Sequence, residues 1–333
     1  LSEFVQASRP GRIGHILLVR PKALNALDRG MIQAVASALN AWRNDASVHA
    51  VVVEGAGDRA FCAGGDIRVI RQHALSNEAA EIEGFFAEEY ALNLAIAEYP
   101  KPYVALIDGI CMGGGIGLSV HGTIRVTTEA GVFAMPETAI AMFPDVGATY
   151  VLPRLPGMLG LYLGLTGTRL NGADAVHAGI ATHLVRKTDL GALREELARD
   201  GAAAVARHAQ PLPPFSLAPY RDAIDRCFSA DTMEDIARRL ESEDSDWGRE
   251  TLASLSAMSP SSLAWSFAAI RRGATLTLPD ALQAELALTR HVTRHPDFAE
   301  GVRAMVVDKD RKPRWSPPSL AQVDAADIAR MLA

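Results

Sequence analysis

An α/β fold is what this sequence predicts, on three observations. Short β-branched runs alternate with helix-period patterns up to about residue 190, glycine clusters mark several of the joins, and beyond Asp189 the strand-like runs cease while helical segments continue. In chain order, residues 13–19 read as a strand and residues 28–42 as a helix with Asp28 as its N-cap. Residues 49–54 form a second strand, 78–98 a long amphipathic helix and 103–107 a third strand. Gly113-Gly114-Gly115 opens the next helix, and residues 123–126 and 132–134 are short strands. The proline-rich stretch Pro211-Leu212-Pro213-Pro214 is the expected boundary between a core of residues 1–209 and a helical C-terminal region of residues 210–333. Start signals recur in that region: Asp231 stands three residues before Glu234 as in a capping box, and Ser259 precedes Pro260 as a cap precedes a first-turn proline.

A chain of 333 residues with 49% hydrophobic content can bury a sizeable core. Its apolar runs fall far short of the ~20 residues that span a bilayer, and no charged-then-apolar leader precedes them, so no membrane partner is expected. A net charge of −6 and a pI near 5.9 argue against a nucleic-acid partner, although a local basic patch for one phosphorylated small molecule is compatible with them. Cys62, Cys111 and Cys227 are an odd number with no close pair. Reduced thiols, and hence a cytoplasmic location, are the expectation. Cys62 and Cys111 flank the glycine clusters, but read best as small buried apolar side chains.

Two bare stretches of backbone carry the chemistry. Gly64-Gly65 follows the apolar run at residues 51–53 and 60–62, and the triplet at 113–115 follows the run at 103–107. Glycine lets main chain approach a substrate without a Cβ in the way. Two N–H groups aimed at one oxygen form an oxyanion hole, and the start of a helix adds its positive end. Gly65 and Gly114 are the candidate pair, the alternative being that these glycines serve tight turns and close helix packing. Among carboxylates, Glu137 follows a proline and an apolar strand, where a surface or a cleft glutamate fits equally. Asp145 could simply cap the helix after it, and Glu89, taken alone, reads as an exposed helical residue.

Other catalytic patterns fail. Gly117-Leu118-Ser119-Val120-His121 lacks the last glycine of a nucleophile elbow, and no Gly-Lys-Ser/Thr follows the triplet. A dinucleotide fingerprint would need glycine where Val120 stands. His291 and His295 are spaced i, i+4 on a helix but lack the glutamate and third ligand of a zinc-protease motif, so no metal is expected.

These residues resemble the crotonase (enoyl-CoA hydratase/isomerase) superfamily. The superfamily likeness covers roughly residues 5–190, through Ala23-Leu24-Asn25-Ala26-Leu27, Phe61-Cys62-Ala63-Gly64-Gly65-Asp66-Ile67 and Asp108-Gly109 to Gly115. Residues 113–122 (GGGIGLSVHG), 133–140 (FAMPETAI), 143–147 (FPDVG) and 297–313 (DFAEGVRAMVVDKDRKP) look like its 3-hydroxyisobutyryl-CoA hydrolase branch, so the similarity extends over nearly the whole chain. The resemblance implies a crotonase-like spiral of repeated ββα units, with the helical C-terminal region covering the acyl site. It implies that Gly65 and Gly114 form the oxyanion hole and that Glu89, Gly114, Glu137 and Asp145 bind the acyl group. It further implies hydrolysis of a branched β-hydroxyacyl-CoA, no cofactor beyond the coenzyme A carried in by the substrate, and a homo-oligomer, trimer or hexamer. One departure matters: family hydratases carry a glutamate a short step past the triplet, where this chain has Gly117.

Overall fold

The structure, a computed structural model, describes residues 2–332. Ten strands form two sheets among the described residues. They are β1 (Val5–Ser8), β2 (Ile13–Leu18), β3 (Ala50–Gly55), β4 (Ala60–Cys62), β5 (Tyr103–Ile107), β6 (Ile110–Met112), β7 (Ile124–Thr127), β8 (Val132–Ala134), β9 (Leu170–Asn171) and β10 (His183–Leu184). The larger sheet has the order β1-β2-β3-β5-β7-β10 and the smaller β4-β6-β8-β9. Consecutive strands thus divide between sheets: β3, β5 and β7 go to one, and β4, β6 and β8 to the other. In each sheet the three lie side by side and parallel, with Val52 opposite Val104 and Cys111 between Cys62 and Phe133. That repeat is the α/β arrangement expected, and each turn of it sets a strand-to-helix junction beside the next.

β5 sits between β3 and β7 and buries all five residues, as a near-continuous apolar strand in the middle of a parallel sheet must. Ile13, Val52, Val104, Leu106 and Val126 face Leu193 and Leu197 of the helix Leu190–Asp200, and this is the core under the larger sheet. Asp28 caps α1 (Arg29–Arg43), accepting from the Met31 amide as expected. The expected helix at 78–98 is α3 (Ala79–Ala97), preceded by an unanticipated α2 (Ile67–Leu75). The buried residues of α3, among them Phe85, Phe86, Glu89, Tyr90, Leu92, Asn93 and Ile96, fall on one face, as in the amphipathic helix expected, and that face includes the polar side chains of Glu89 and Asn93. The triplet opens α4 (Gly114–Val120), every residue of which is buried.

By proximity the chain divides into two compact units. The first takes residues up to 66, 88–134 and 169–216, and holds both sheets; the second takes 67–87, 135–168 and the residues from 217 onward. The second unit is helical, and several of its longer helices begin on side-chain caps. Ser259 accepts from the Ser262 amide with Pro260 in the first turn, as expected. The helix Met233–Ser242 starts one residue later than the predicted box: Thr232, not Asp231, is the cap and accepts from the Asp235 amide. Thr232 is the residue in extended conformation, which a cap requires.

Main chain packs closely on main chain at Gly115, where an added Cβ would lie 2.2 Å from the Cys62 carbonyl oxygen. Gly115→Ala should therefore lower stability by about 1–3 kcal/mol or more through overpacking. Gly191→Ala, with nothing within 4 Å of its new methyl, should instead gain about 0.4–1 kcal/mol. Urea unfolding of the two variants beside the wild type checks the pair.

Candidate active site

In the first unit, the segment Ala23–Leu27 anchors the chain leaving β4. Asn25, fully buried and in the left-handed region at φ 56°, donates to the carbonyls of Ala56 and Ala60 at 3.0 and 2.9 Å. Its Oδ1 accepts from the Arg20 amide at 2.9 Å, so the side chain is fully engaged and cannot be exchanged without loss. Leu27 then pairs with Gly65 in a parallel bridge: the Leu27 amide donates to Gly64 O and the Asp66 amide to Leu27 O, each at 2.8 Å. A parallel bridge uses the groups of the two flanking residues, so the N–H of Gly65 itself points to the opposite side.

That opposite side holds the start of α4. Gly113, at φ 48°, turns the chain and leaves Gly114 as the first helical residue, whose amide has no partner within its own helix. A Cβ placed on Gly114 would lie 3.3 Å from the Gly65 nitrogen and 2.5 Å from Oε1 of Glu89. A Cβ on Gly64 would lie 3.6 Å from the Gly114 nitrogen. The two glycine turns therefore adjoin, as the sequence suggested, and a third group joins them. Glu89 is 3% exposed, not the surface residue that its local sequence suggested, because α3 turns this face toward the glycines. Gly65, Gly114 and Glu89 thus gather main-chain amides and a carboxylate in one place.

Neighbouring candidates resolve as structural. Ser119 donates to the Gly115 carbonyl of its own helix at 2.9 Å. Burial pushes the Cys62 thiol up to about 12 and raises Cys111 likewise, which removes both as nucleophiles.

In the second unit, Glu137 starts the 3-10 turn Glu137–Ile140 directly after Pro136 and is 7% exposed. The turn is held at both ends. Thr138 donates to the Leu165 carbonyl at 3.1 Å, the Met142 amide to Glu137 O at 3.0 Å, and Trp265 Nε1 and the Ser262 hydroxyl both donate to Met142 O. Asp145, 6% exposed, lies beyond it, followed by Val146 at φ 54° and Gly147 at φ 82°.

The helix after Asp145, α5 (Ala148–Val151), does not take it as its cap; Gly147 occupies that place. Its first donors go to a carboxylate from far along the chain: Glu285 accepts from the Gly147 amide at 2.8 Å, and from the amide of Thr149 at 3.1 Å together with its hydroxyl. Glu285 was not singled out in the sequence, though a signal exists. It lies in the apolar stripe Ala281, Leu282, Leu288 and Val292 of the helix Leu278–Val292, where a surface glutamate does not belong. His295, which the i, i+4 spacing singled out, is structural: it accepts from the Asp297 amide at the start of Pro296–Val302 and stands edge-on to Trp265. Among the described residues no group of three His, Cys, Asp or Glu side chains is placed to hold a metal ion.

Burial pushes the Glu285 carboxyl up to about 8; the Thr149 hydroxyl pulls it back, and the charge of Asp145 pushes it further. Asp145 is the charged group that bears on it; the amides of Gly147 and Thr149 oppose the shift. In the unfolded chain the same group titrates near 4.5, so folding takes up a proton between about pH 4.5 and 8. Its contribution to stability is complete below that window and falls with rising pH by up to about 1.4 kcal/mol per unit. Glu285→Gln, which cannot ionise, should lack this slope when melting temperatures are compared from pH 5 to 9.

A family model described as enoyl-CoA hydratase/isomerase matches residues 13–332. The 3-hydroxyisobutyryl-CoA hydrolase, mitochondrial, of Xenopus laevis is 46% identical over 328 residues, which is 95% of this chain and 85% of that protein. The protein of the same name from Homo sapiens is 44% identical over 340 residues, covering 98% and 88%. Among solved structures, a carnitinyl-CoA dehydratase from Mycobacterium thermoresistibile superposes with a TM-score of 0.96 at 41% identity, covering 100% of this chain and 97% of its own. The cytoplasmic expectation is corrected by these relatives, whose names place them in mitochondria. Unpaired buried cysteines do not distinguish one reducing compartment from another.

Proposed function

We propose that this chain, which belongs to the enoyl-CoA hydratase/isomerase family, hydrolyses the thioester of a short branched β-hydroxyacyl-CoA, with 3-hydroxyisobutyryl-CoA as the leading substrate. The substrate assignment rests on relatives of that name aligned over nearly the whole chain. The observation that carries the chemistry is the pairing of the Gly65 amide with the first turn of α4 beside Glu89.

In this reading the amides of Gly65 and Gly114 bind the thioester oxygen and stabilise the negative charge it acquires when water adds. Glu137 takes the proton of that water, and Asp145 orients the water or the β-hydroxyl with help from Glu89. Collapse of the intermediate breaks the C–S bond and the thiolate leaves, a modest demand because ordinary thiols have a pKa of about 8.5. Water supplies the only atoms added, so the coenzyme A of the substrate is the only cofactor the step requires. Direct attack by Glu137, giving a transient anhydride, is the less favoured variant.

The dehydratase name of the superposed structure raises a second reading, addition or removal of water across a double bond. That reaction needs an acid and a base flanking Cα and Cβ. At the α4 position where hydratases supply a glutamate this chain has Gly117, which is buried and has no side chain.

Thiol release from 3-hydroxyisobutyryl-CoA, set against loss of crotonyl-CoA absorbance, separates the readings. Glu137→Gln should fold normally and lose about 10²–10⁴-fold in thiol release, the range of general-base catalysis. Near-wild-type cleavage by this variant would remove Glu137 from the mechanism. Rapid hydration without thiol release would replace the hydrolase reading with its rival.

A further inference from the structure

Glu285 is an expensive residue at its position. It is 2% exposed on the apolar face of Leu278–Val292, and a carboxyl so placed costs several kcal/mol unless its oxygens are engaged. Both are engaged, and both on the same short stretch of main chain: one takes the Gly147 amide, the other the amide and hydroxyl of Thr149. That stretch follows directly on Asp145 and contains consecutive left-handed residues, Val146 and Gly147. A β-branched residue at positive φ is a true outlier, costing about 1–3 kcal/mol, and persists only where the surroundings hold it. The grip of Glu285 on the next residues is such a hold. It is also felt electrostatically, since the charge of Asp145 reaches the Glu285 carboxyl.

We infer that Glu285 is a positioning residue for Asp145: by clamping the turn at residues 146–149 from the distant helix, it fixes the backbone from which the Asp145 carboxylate reaches the β-hydroxyl or the attacking water. This rests on the role proposed above for Asp145. Glu285 touches no reacting atom. It acts through the geometry of the turn, so its removal alters how well Asp145 recognises a hydroxylated acyl chain.

The test compares the wild type, Glu285→Ala, Glu285→Gln, Asp145→Asn and the double variant Asp145→Asn/Glu285→Ala, by thiol release from 3-hydroxyisobutyryl-CoA and from isobutyryl-CoA, which lacks the hydroxyl. Folding of each variant is checked by circular dichroism. Glu285→Ala should lower kcat/KM for the hydroxylated substrate by about 10²-fold, as small misplacements of a positioned group do, and lower it less for isobutyryl-CoA. In the Asp145→Asn background the same change should cost little more, the mark of two residues acting as one. Glu285→Gln keeps one acceptor and the side chain's size, and should fall between wild type and alanine. If alanine does not fold, glutamine carries the test in both backgrounds. Equal losses on the two substrates, or losses that add fully to those of Asp145→Asn, would overturn the positioning role while leaving the hydrolase reading intact. A folded wild type that releases no thiol from either substrate would overturn both.

Discussion

The carbonyl of Cys62 and the backbone of Gly115 meet at a separation that leaves no room for a methyl group, and the candidate site depends on that contact. It seats the first turn of α4 on the end of β4. The parallel registers that stack Cys62, Cys111 and Phe133 across the small sheet fix the same junction from the other side. Because both neighbours are main chain inside a buried sheet-and-helix frame, the Gly65 and Gly114 amides would need little reorganisation to receive a charge in the proposed reaction. Preorganised dipoles of this kind are what lower the barrier for a developing oxyanion.

The second unit meets a different physical problem, keeping acidic side chains away from water. Glu137, Asp145 and Glu285 are all nearly inaccessible there. The helices around them bring hydrogen-bond donors to nearby main chain, as Trp265 and Ser262 do at Met142, so that the turns carrying the acids are rigid even where local dihedral angles are unfavourable. Rigid turns and buried carboxyls are a costly combination, and only engaged oxygens, such as those of Glu285, offset it.

Much of this was legible in the sequence, and what was not has identifiable causes. The strand at 103–107 was readable because a fully buried parallel strand is apolar throughout. β4 and β6, with three residues each, were not recognised as separate strands, since each runs directly into a glycine turn that drew the reading instead. The glycine turns were legible as a pair because bare backbone after two strands admits few uses. Glu89 was misread because it stands beside Glu88 in sequence and looks the same, while only Glu89 falls on the buried face of α3. Glu285 was overlooked although its place in an apolar stripe marks it, and the capping role weighed for Asp145 belongs in part to that distant residue. No distance along the chain could link residues 285 and 147. The compartment was misjudged because cysteine chemistry reports reducing conditions and carries no address.

The three cysteines bear on the proposed reaction from another direction. Each is sealed in the interior, and desolvation keeps each sulfur protonated. A reaction that liberates a thiol at every turnover exposes its own catalyst to mixed-disulfide formation, which proceeds through an accessible thiolate. With none on offer, the folded protein should withstand accumulation and oxidation of its own product, and should stay silent toward disulfide reagents used to follow that product.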